Sequence, residues 1–307
     1  MEIALIRAPS NLGLRPLRPG HEPGAWRAPE ALTKAGLVEA IHPERVIDLS
    51  RPRYNSEPRS DARLLTGPAI RSFNLQLADA VETAARDDLL PIVVGGDCSV
   101  LLGALAGRRR LGPVSLVHID GHSDFRHPGN SDPEAKALAA AGMDLAFATG
   151  RGEPLMTDWP GTPAPLVPDN AVVQLGEREG RDADFSWPDI RETDINRIEI
   201  FEALTLAPAD LLTRVRAALE RLGWPFWVHF DVDVLDQSVM PAVDSPGSPG
   251  IAPVVLVPVL RDLILDPRCC GWTVTIFDPD LDPTGALARL LVSLLSEVLD
   301  PAPMASR

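Results

Sequence analysis

Short apolar runs alternate with amphipathic stretches along the 307-residue chain. The apolar runs predict buried strands at residues 2–6, 90–94, 114–119, 171–175, 226–230 and 271–276. Apolar residues at spacings of three and four predict helices over residues 70–85, 208–222, 254–265 and 284–299, with a shorter helical run at 100–105. Strands that alternate with helices imply a mostly parallel sheet covered on both faces. The predicted fold class is therefore α/β, with three α/β/α layers.

Composition narrows the classes of protein and partner. No linker or internal repeat divides the chain, so we expect one domain over residues 1–307. The formal charge of −14 disfavours nucleic acid and anionic membranes as partners, because both would repel the chain. The amino terminus does not resemble a signal peptide, and three cysteines, two of them adjacent, do not suggest a disulfide framework. We expect a cytoplasmic protein that acts on a small molecule.

Two acidic clusters follow two of the predicted strands. Asp120, His122 and Asp124 come after residues 114–119, and Asp231 and Asp233 come after residues 226–230. Open α/β sheets bind ligands at the carboxyl ends of their strands, and alternation would point the residues of each cluster the same way. Taken singly, each cluster also fits residues that cap a following helix. Together, the four carboxylates need a countercharge, and with one imidazole they suit divalent Mn, Fe, Co, Ni or Zn.

A third cluster, Gly95-Gly-Asp-Cys-Ser99, follows the strand at residues 90–94. Its paired glycines permit a tight turn from a strand into a helix. The order Gly-Gly-Asp-Cys-Ser, Asp-Gly-His-Ser-Asp and Asp-Val-Asp-Val-Leu-Asp resembles the motifs of the ureohydrolase superfamily, which includes arginase, agmatinase, guanidinobutyrase and formimidoylglutamase. Residues 23–30 and 278–282 resemble the family's terminal segments. The resemblance therefore covers nearly the whole chain.

This resemblance implies an arginase-like fold, two manganese ions and a homo-oligomer, either a trimer or a hexamer. Carried over by position, the metal ligands would be Cys98, Asp120, His122, Asp124, Asp231 and Asp233. Asp120 and Asp231 would bridge the ions, which would activate a water for attack on an amidine carbon with loss of an amine. Asp124 would also accept a hydrogen bond from that water, as the catalytic residue. Asp236 would support the site from outside the ligand shell.

Two residues depart from the family pattern at positions that touch the metal or the substrate. Cys98 stands where the family has a histidine ligand; a thiolate there would favour Zn, Fe, Co or Ni over Mn, whereas a neutral thiol would leave one ion weakly held. Ile276 stands where arginases and agmatinases carry a glutamate that binds guanidinium. A guanidinium left unpaired at that point would be costly. The substrate is therefore not plain arginine or agmatine, unless Asp244 or Asp278 supplies the contact.

The third departure lies after the His122 motif. Arg126 and Ala141 replace an asparagine that binds the substrate carboxylate in arginase and a histidine that shuttles protons. Arg126 and His127 are candidate ligands for an acidic substrate group, although both also fit ordinary loop residues. Asp144 is a candidate proton donor or amine anchor, or else a helix cap.

The function that these motifs predict is a binuclear metal-dependent hydrolase of linear amidine or guanidine C–N bonds. The main rival is a catalytically silent relative that keeps one ion for structure or binding. A metallophosphoesterase would account for the acids but not for the resemblance along the whole chain.

Overall fold

The computed structural model describes residues 1–55, 63–132, 134–181 and 187–300. Within these ranges the strands are β1 (Ile3–Ala8), β2 (Arg45–Asp48), β3 (Leu90–Gly95), β4 (Ser115–Ile119), β5 (Val172–Leu175), β6 (Asn196–Ile198), β7 (Phe226–Asp231) and β8 (Cys269–Thr275). They form one parallel sheet in the order β2-β1-β3-β8-β7-β4-β5-β6. All of the predicted strands are present, and the additional strands β2 and β6 lie at the two edges.

Helices cover both faces of this sheet. They are α1 (Ala28–Lys34), α2 (Leu37–Ile41), α3 (Gly67–Arg86), α4 (Val100–Arg109), α5 (Asp144–Ala148), α6 (Pro154–Thr157), α7 (Ile200–Ala203), α8 (Pro208–Glu220), α9 (Pro253–Ile264) and α10 (Ala286–Leu299). Buried side chains of α3, α4 and α5 pack on one face, and those of α1, α2, α8, α9 and α10 pack on the other. The predicted three-layer α/β/α architecture is confirmed. None of the helices in the described ranges is both long and apolar enough to cross a membrane.

The sheet order brings the three motifs to one edge. Strands β3, β8, β7 and β4 are neighbours at the centre of the sheet, and the motifs follow β3, β4 and β7. Where the chain leaves β3, Gly96 passes so close to Ser10 that a Cβ atom would lie 1.5 Å from the Ser10 carbonyl oxygen. Only glycine permits this close approach of two backbone segments.

Turns, rather than extended strands, aim the motif side chains. We expected strand alternation to continue through the acidic clusters, but β4 ends at Ile119 and β7 ends at Asp231. Asp124 has a positive φ of 46°, and Asp233 lies in a short 3₁₀ helix, Val232–Val234. The clusters therefore converge because the chain bends sharply at each strand end.

Candidate metal centre

The carboxyl edge of the sheet surrounds a cavity of about 320 Å³. Its walls include five of the six predicted metal ligands, namely Cys98, His122, Asp124, Asp231 and Asp233. The sixth predicted ligand, Asp120, is buried beside them with 1% of its surface exposed. The structure thus gathers side chains from three separate loops around one space.

One group of donor atoms centres on His122. Its Nδ1 atom lies 3.0 Å from Asp233 Oδ2 and 3.5 Å from Asp120 Oδ1. The backbone N–H of Gly121 donates to Asp233 Oδ1 at 3.1 Å and so orients that carboxylate. Burial alone would lower the pKa of His122, but Asp233 and Asp120 raise it well above its usual value. One donor atom from each of Asp120, His122 and Asp233 lies within 4.8 Å of the others, which is compact enough for a single cation.

The second group centres on Cys98. Its thiol donates to Asp231 Oδ2 at 2.7 Å, and its sulfur lies 3.4 Å from Thr275 Oγ1. Burial, together with the charge of Asp231, raises the pKa of the Cys98 thiol well above its usual value. The thiol therefore keeps its proton unless a bound cation displaces it.

The donor set fits divalent cations on chemical grounds. Burial and the neighbouring carboxylates raise the pKa values of Asp124 and Asp231 well above the usual range. Asp120 Oδ2 is buried and has no hydrogen-bond partner. Buried carboxylates in contact with one another are destabilising without a countercharge, and a buried polar atom normally has a partner. Bound cations would satisfy both requirements.

A layer of buried polar side chains beneath the Cys98 group was missed by the sequence interpretation. His118 and His229 are register partners on β4 and β7, and their rings stack with centroids 4.9 Å apart. His118 Nε2 lies 3.2 Å from Asp144 Oδ1, and the three side chains are fully buried. The signal was available, because each histidine stands two residues before a motif aspartate, in Val-His-Ile-Asp120 and Val-His-Phe-Asp231. A strand period of two places each histidine on the same side as that aspartate.

Asp144 does not occupy the position expected of a substrate contact. It is fully buried in the first turn of α5 and is not part of the cavity wall. Burial raises the pKa of Asp144, although His118 acts in the opposite direction. Its carboxylate faces the buried His118, and the N-cap residue of α5 is Met143 rather than Asp144.

Arg126 and Asp244, by contrast, do lie in the cavity wall. Burial, with help from nearby arginines, lowers the pKa of Arg126; its Nε atom is buried without a partner, and its guanidinium lies 5.7 Å from the centre of the Trp187 ring. Partial burial raises the pKa of Asp244 to about 6. Glu179, which the sequence analysis did not single out, also lines the cavity and lies 3.7 Å from His122 Nε2.

Three other residues considered from the sequence have structural partners. His127 Nε2 lies 2.7 Å from Asp189 Oδ2. Asp278 accepts one hydrogen bond from the backbone N–H of Gly24 and thereby connects the two terminal segments of the fold. Asp236 accepts hydrogen bonds from Ser238, Ser248 and Gly250, which shapes the loop that carries Asp244.

The structure defines an α/β protein whose parallel sheet gathers carboxylates, an imidazole and a thiol, a donor set that fits divalent cations, around one cavity. The chain belongs to the Arginase family, whose model matches residues 2–300. Family members are binuclear metal-dependent hydrolases, typically with manganese, and act on C–N bonds in linear amidines. Membership confirms the resemblance inferred from the motifs.

Individual relatives agree with this placement. Arginase of Bacillus caldovelox is 28% identical over 258 residues, which cover 81% of each chain. Formimidoylglutamase of Corynebacterium efficiens is 24% identical over 282 residues, covering 90% of this chain and 78% of that relative. The solved structure of Bacillus caldovelox arginase matches with a TM-score of 0.84 at 25% identity over 99% of both chains.

Proposed function

We propose that this chain is a binuclear metal-dependent hydrolase of linear amidine or guanidine C–N bonds, organised as one domain over residues 1–307. The observation that carries the proposal is the pair of donor groups on one cavity. Cys98, Asp120 and Asp231 belong to one group, and Asp120, His122 and Asp233 belong to the other. Because Asp120 belongs to both groups, its carboxylate is suited to bridge two ions.

The proposed chemistry is attack of water on an amidine carbon. Two cations at this site would lower the pKa of water enough for attack near neutral pH. Asp124 lines the cavity with 8% of its surface exposed, so its carboxylate can orient the attacking water and accept its proton.

The cavity wall suggests the kind of substrate. Ile276 lines the cavity, and by the resemblance it stands where a glutamate would bind a guanidinium ion. Arg126 offers a buried N–H group without a partner, which suits a carboxylate on the substrate. Asp244 is placed to contact an amine or amidine nitrogen. We therefore propose an amidine or guanidine derivative other than plain arginine or agmatine, with an acidic group that pairs with Arg126.

The proposed cofactors are two divalent ions. Manganese is the metal typical of the family, and the Cys98 sulfur favours Zn, Fe, Co or Ni at its own position. The proposal also carries forward the cytoplasmic location and the homo-oligomer that we expect from the sequence and the resemblance.

Metal analysis and a substrate screen test the proposal together. Protein purified without chelator should contain about two equivalents of divalent metal, as a binuclear site requires. It should release urea, hydroxyurea, formamide or ammonia from a guanidino, N-hydroxyguanidino or formimino compound. Asp124→Asn should abolish this release, whereas Asp262→Asn, at a side chain that is 56% exposed, should not. One equivalent or none, unchanged by added Mn, Zn or Ni, would overturn the proposal in favour of a silent relative.

A further inference from the structure

The two buried histidines beneath the cavity differ in their hydrogen bonds. His229 Nδ1 lies 2.8 Å from Thr273 Oγ1. The Thr273 hydroxyl donates to the Val228 carbonyl oxygen at 3.5 Å and accepts from Trp227 Nε1 at 3.4 Å. With its proton directed to the Val228 carbonyl, the Thr273 hydroxyl can accept from His229 Nδ1 as well as from Trp227 Nε1. In this arrangement the neutral His229 ring carries its proton on Nδ1 and a lone pair on Nε2.

That lone pair has no partner inside the protein. His229 is fully buried, and its Nε2 atom makes no hydrogen bond. The nearest carboxylate oxygen, Asp144 Oδ2, is 3.6 Å away and is itself buried without a partner. Buried polar atoms that make no hydrogen bond are unfavourable. A cation bound on the cavity side of His229 Nε2 and Asp144 Oδ2 would give these atoms a partner.

The surroundings of Nε2 are those of a metal ligand. A nitrogen of His229, the Cys98 sulfur and one oxygen from each of Asp120 and Asp231 lie within 4.8 Å of one another, and all four residues are buried. Histidines that bind metals usually donate their other ring N–H to a fixed acceptor. Thr273 provides that acceptor for His229.

We propose that His229 is a ligand of the ion on the Cys98 side, completing a donor set of thiolate, imidazole and two carboxylates with Cys98, Asp120 and Asp231. The proposal rests on the proposed binuclear site and specifies one of its two ions. Strand β7 thereby supplies, through His229, an imidazole nitrogen in place of the histidine that Cys98 replaces in the loop after β3. Sulfur and nitrogen donors together favour Zn²⁺ or Co²⁺ over Mn²⁺ at this position.

His118 is the matched control for this assignment. It is as buried as His229 and stacks on it, but its Nε2 atom is engaged by Asp144 at 3.2 Å. One of its nitrogens also lies within 4.8 Å of donor atoms of Asp120 and Asp124, but we expect the contact with Asp144 to make His118 an orienting residue rather than a ligand. Substitution of His118 should therefore perturb packing about as much as substitution of His229 does, but it should leave the metal content unchanged.

Metal counting on two variants tests the proposal. In His229→Asn the amide can still reach Thr273, but the donor at the Nε2 position is lost. After zinc loading and dialysis, we expect about two equivalents in the wild type and in His118→Asn, and about one in His229→Asn, because one shell loses a ligand. Two equivalents in His229→Asn, or an equal loss in both variants, would overturn the assignment. A wild-type protein that binds no metal would overturn the binuclear site as well, which separates the two failures.

X-ray absorption at the zinc edge gives a readout that does not require His229→Asn to fold. In His122→Asn the imidazole of the other donor group is absent. When this variant holds one equivalent of zinc, sulfur and imidazole scattering should appear on the same ion. Sulfur without imidazole, or no sulfur at all, would contradict the proposal.

Discussion

Replacement of Ile276 by glutamate should give the cavity affinity for a guanidinium ion. Ile276 is 4% exposed and shares the cavity wall with Asp244. A carboxylate about 4 Å from a guanidinium attracts it by about 4 kcal/mol at an effective dielectric constant of about 20. Removal of the carboxylate from water offsets part of this attraction. We expect a net gain of about 1.5 to 3 kcal/mol, or about 10- to 150-fold in Kd.

Isothermal titration of the metal-loaded protein with agmatine measures this gain. Ile276→Gln is the matched control, because it has the same shape as the glutamate variant and lacks only the charge. Only Ile276→Glu should bind agmatine more tightly than the wild type, and added salt should weaken the gain. Equal affinity in the two variants would show that the missing acid is not what excludes a guanidinium from this site.

Backbone conformation does not confound the comparison. Ile276 has a positive φ of 73°, a region that β-branched residues rarely adopt. Both replacements are unbranched at Cβ, so both should relieve the same strain. Thermal unfolding of the two variants checks that their stabilities match before affinities are compared.

Three further predictions concern stability and pH. Gly96→Ala should lower the free energy of unfolding by about 3 kcal/mol, because the new Cβ atom would lie 1.5 Å from the Ser10 carbonyl oxygen. The control Gly142→Ala should leave the melting temperature unchanged, because the atom nearest to its Cβ would be 3.9 Å away. Arg197→Met should lower the free energy of unfolding by about 3 kcal/mol, because it leaves the buried Glu177 carboxylate, 2.6 Å from the Arg197 guanidinium, without its partner. In denaturant unfolding, the double variant Arg197→Met/Glu177→Gln should recover most of this lost stability. No recovery would contradict the pairing of the two residues. Because burial raises the pKa of Asp244 to about 6, a cationic amine should bind the metal-free protein more tightly as pH rises through about 6; a pH titration of Asp244→Asn should lack this step.

The central strands could be predicted from the sequence because burial on both faces leaves an unbroken apolar run. The edge strands could not. Strand β2 has three exposed residues among its four, and β6 is only three residues long, so neither shows an apolar run or a clear alternation. Their pairing depends on neighbouring strands that are distant in sequence.

The convergence of the candidate ligands could also be predicted from the sequence, because motifs at the carboxyl ends of parallel strands meet at one edge of the sheet. The layer beneath them was not predicted. His118 and His229 were taken as part of the apolar runs around them, and only the register between β4 and β7 shows that they touch. Asp144 was expected near the substrate because it lies close to Ala141, the position where the family carries a proton-shuttle histidine. Ala141 does line the cavity, but the Asp144 carboxylate is directed to His118 instead.

The place of β8 in the sheet has a consequence for how the protein is made. It is the last strand in the described chain, yet it lies between β3 and β7 at the centre of the sheet. Until it emerges from the ribosome, those two strands have unpaired edges, which are prone to association with other chains. A nascent chain that stops before Cys269 contains every proposed ligand but lacks the strand that pairs with both β3 and β7. We therefore expect stable metal binding only after β8 has joined the sheet.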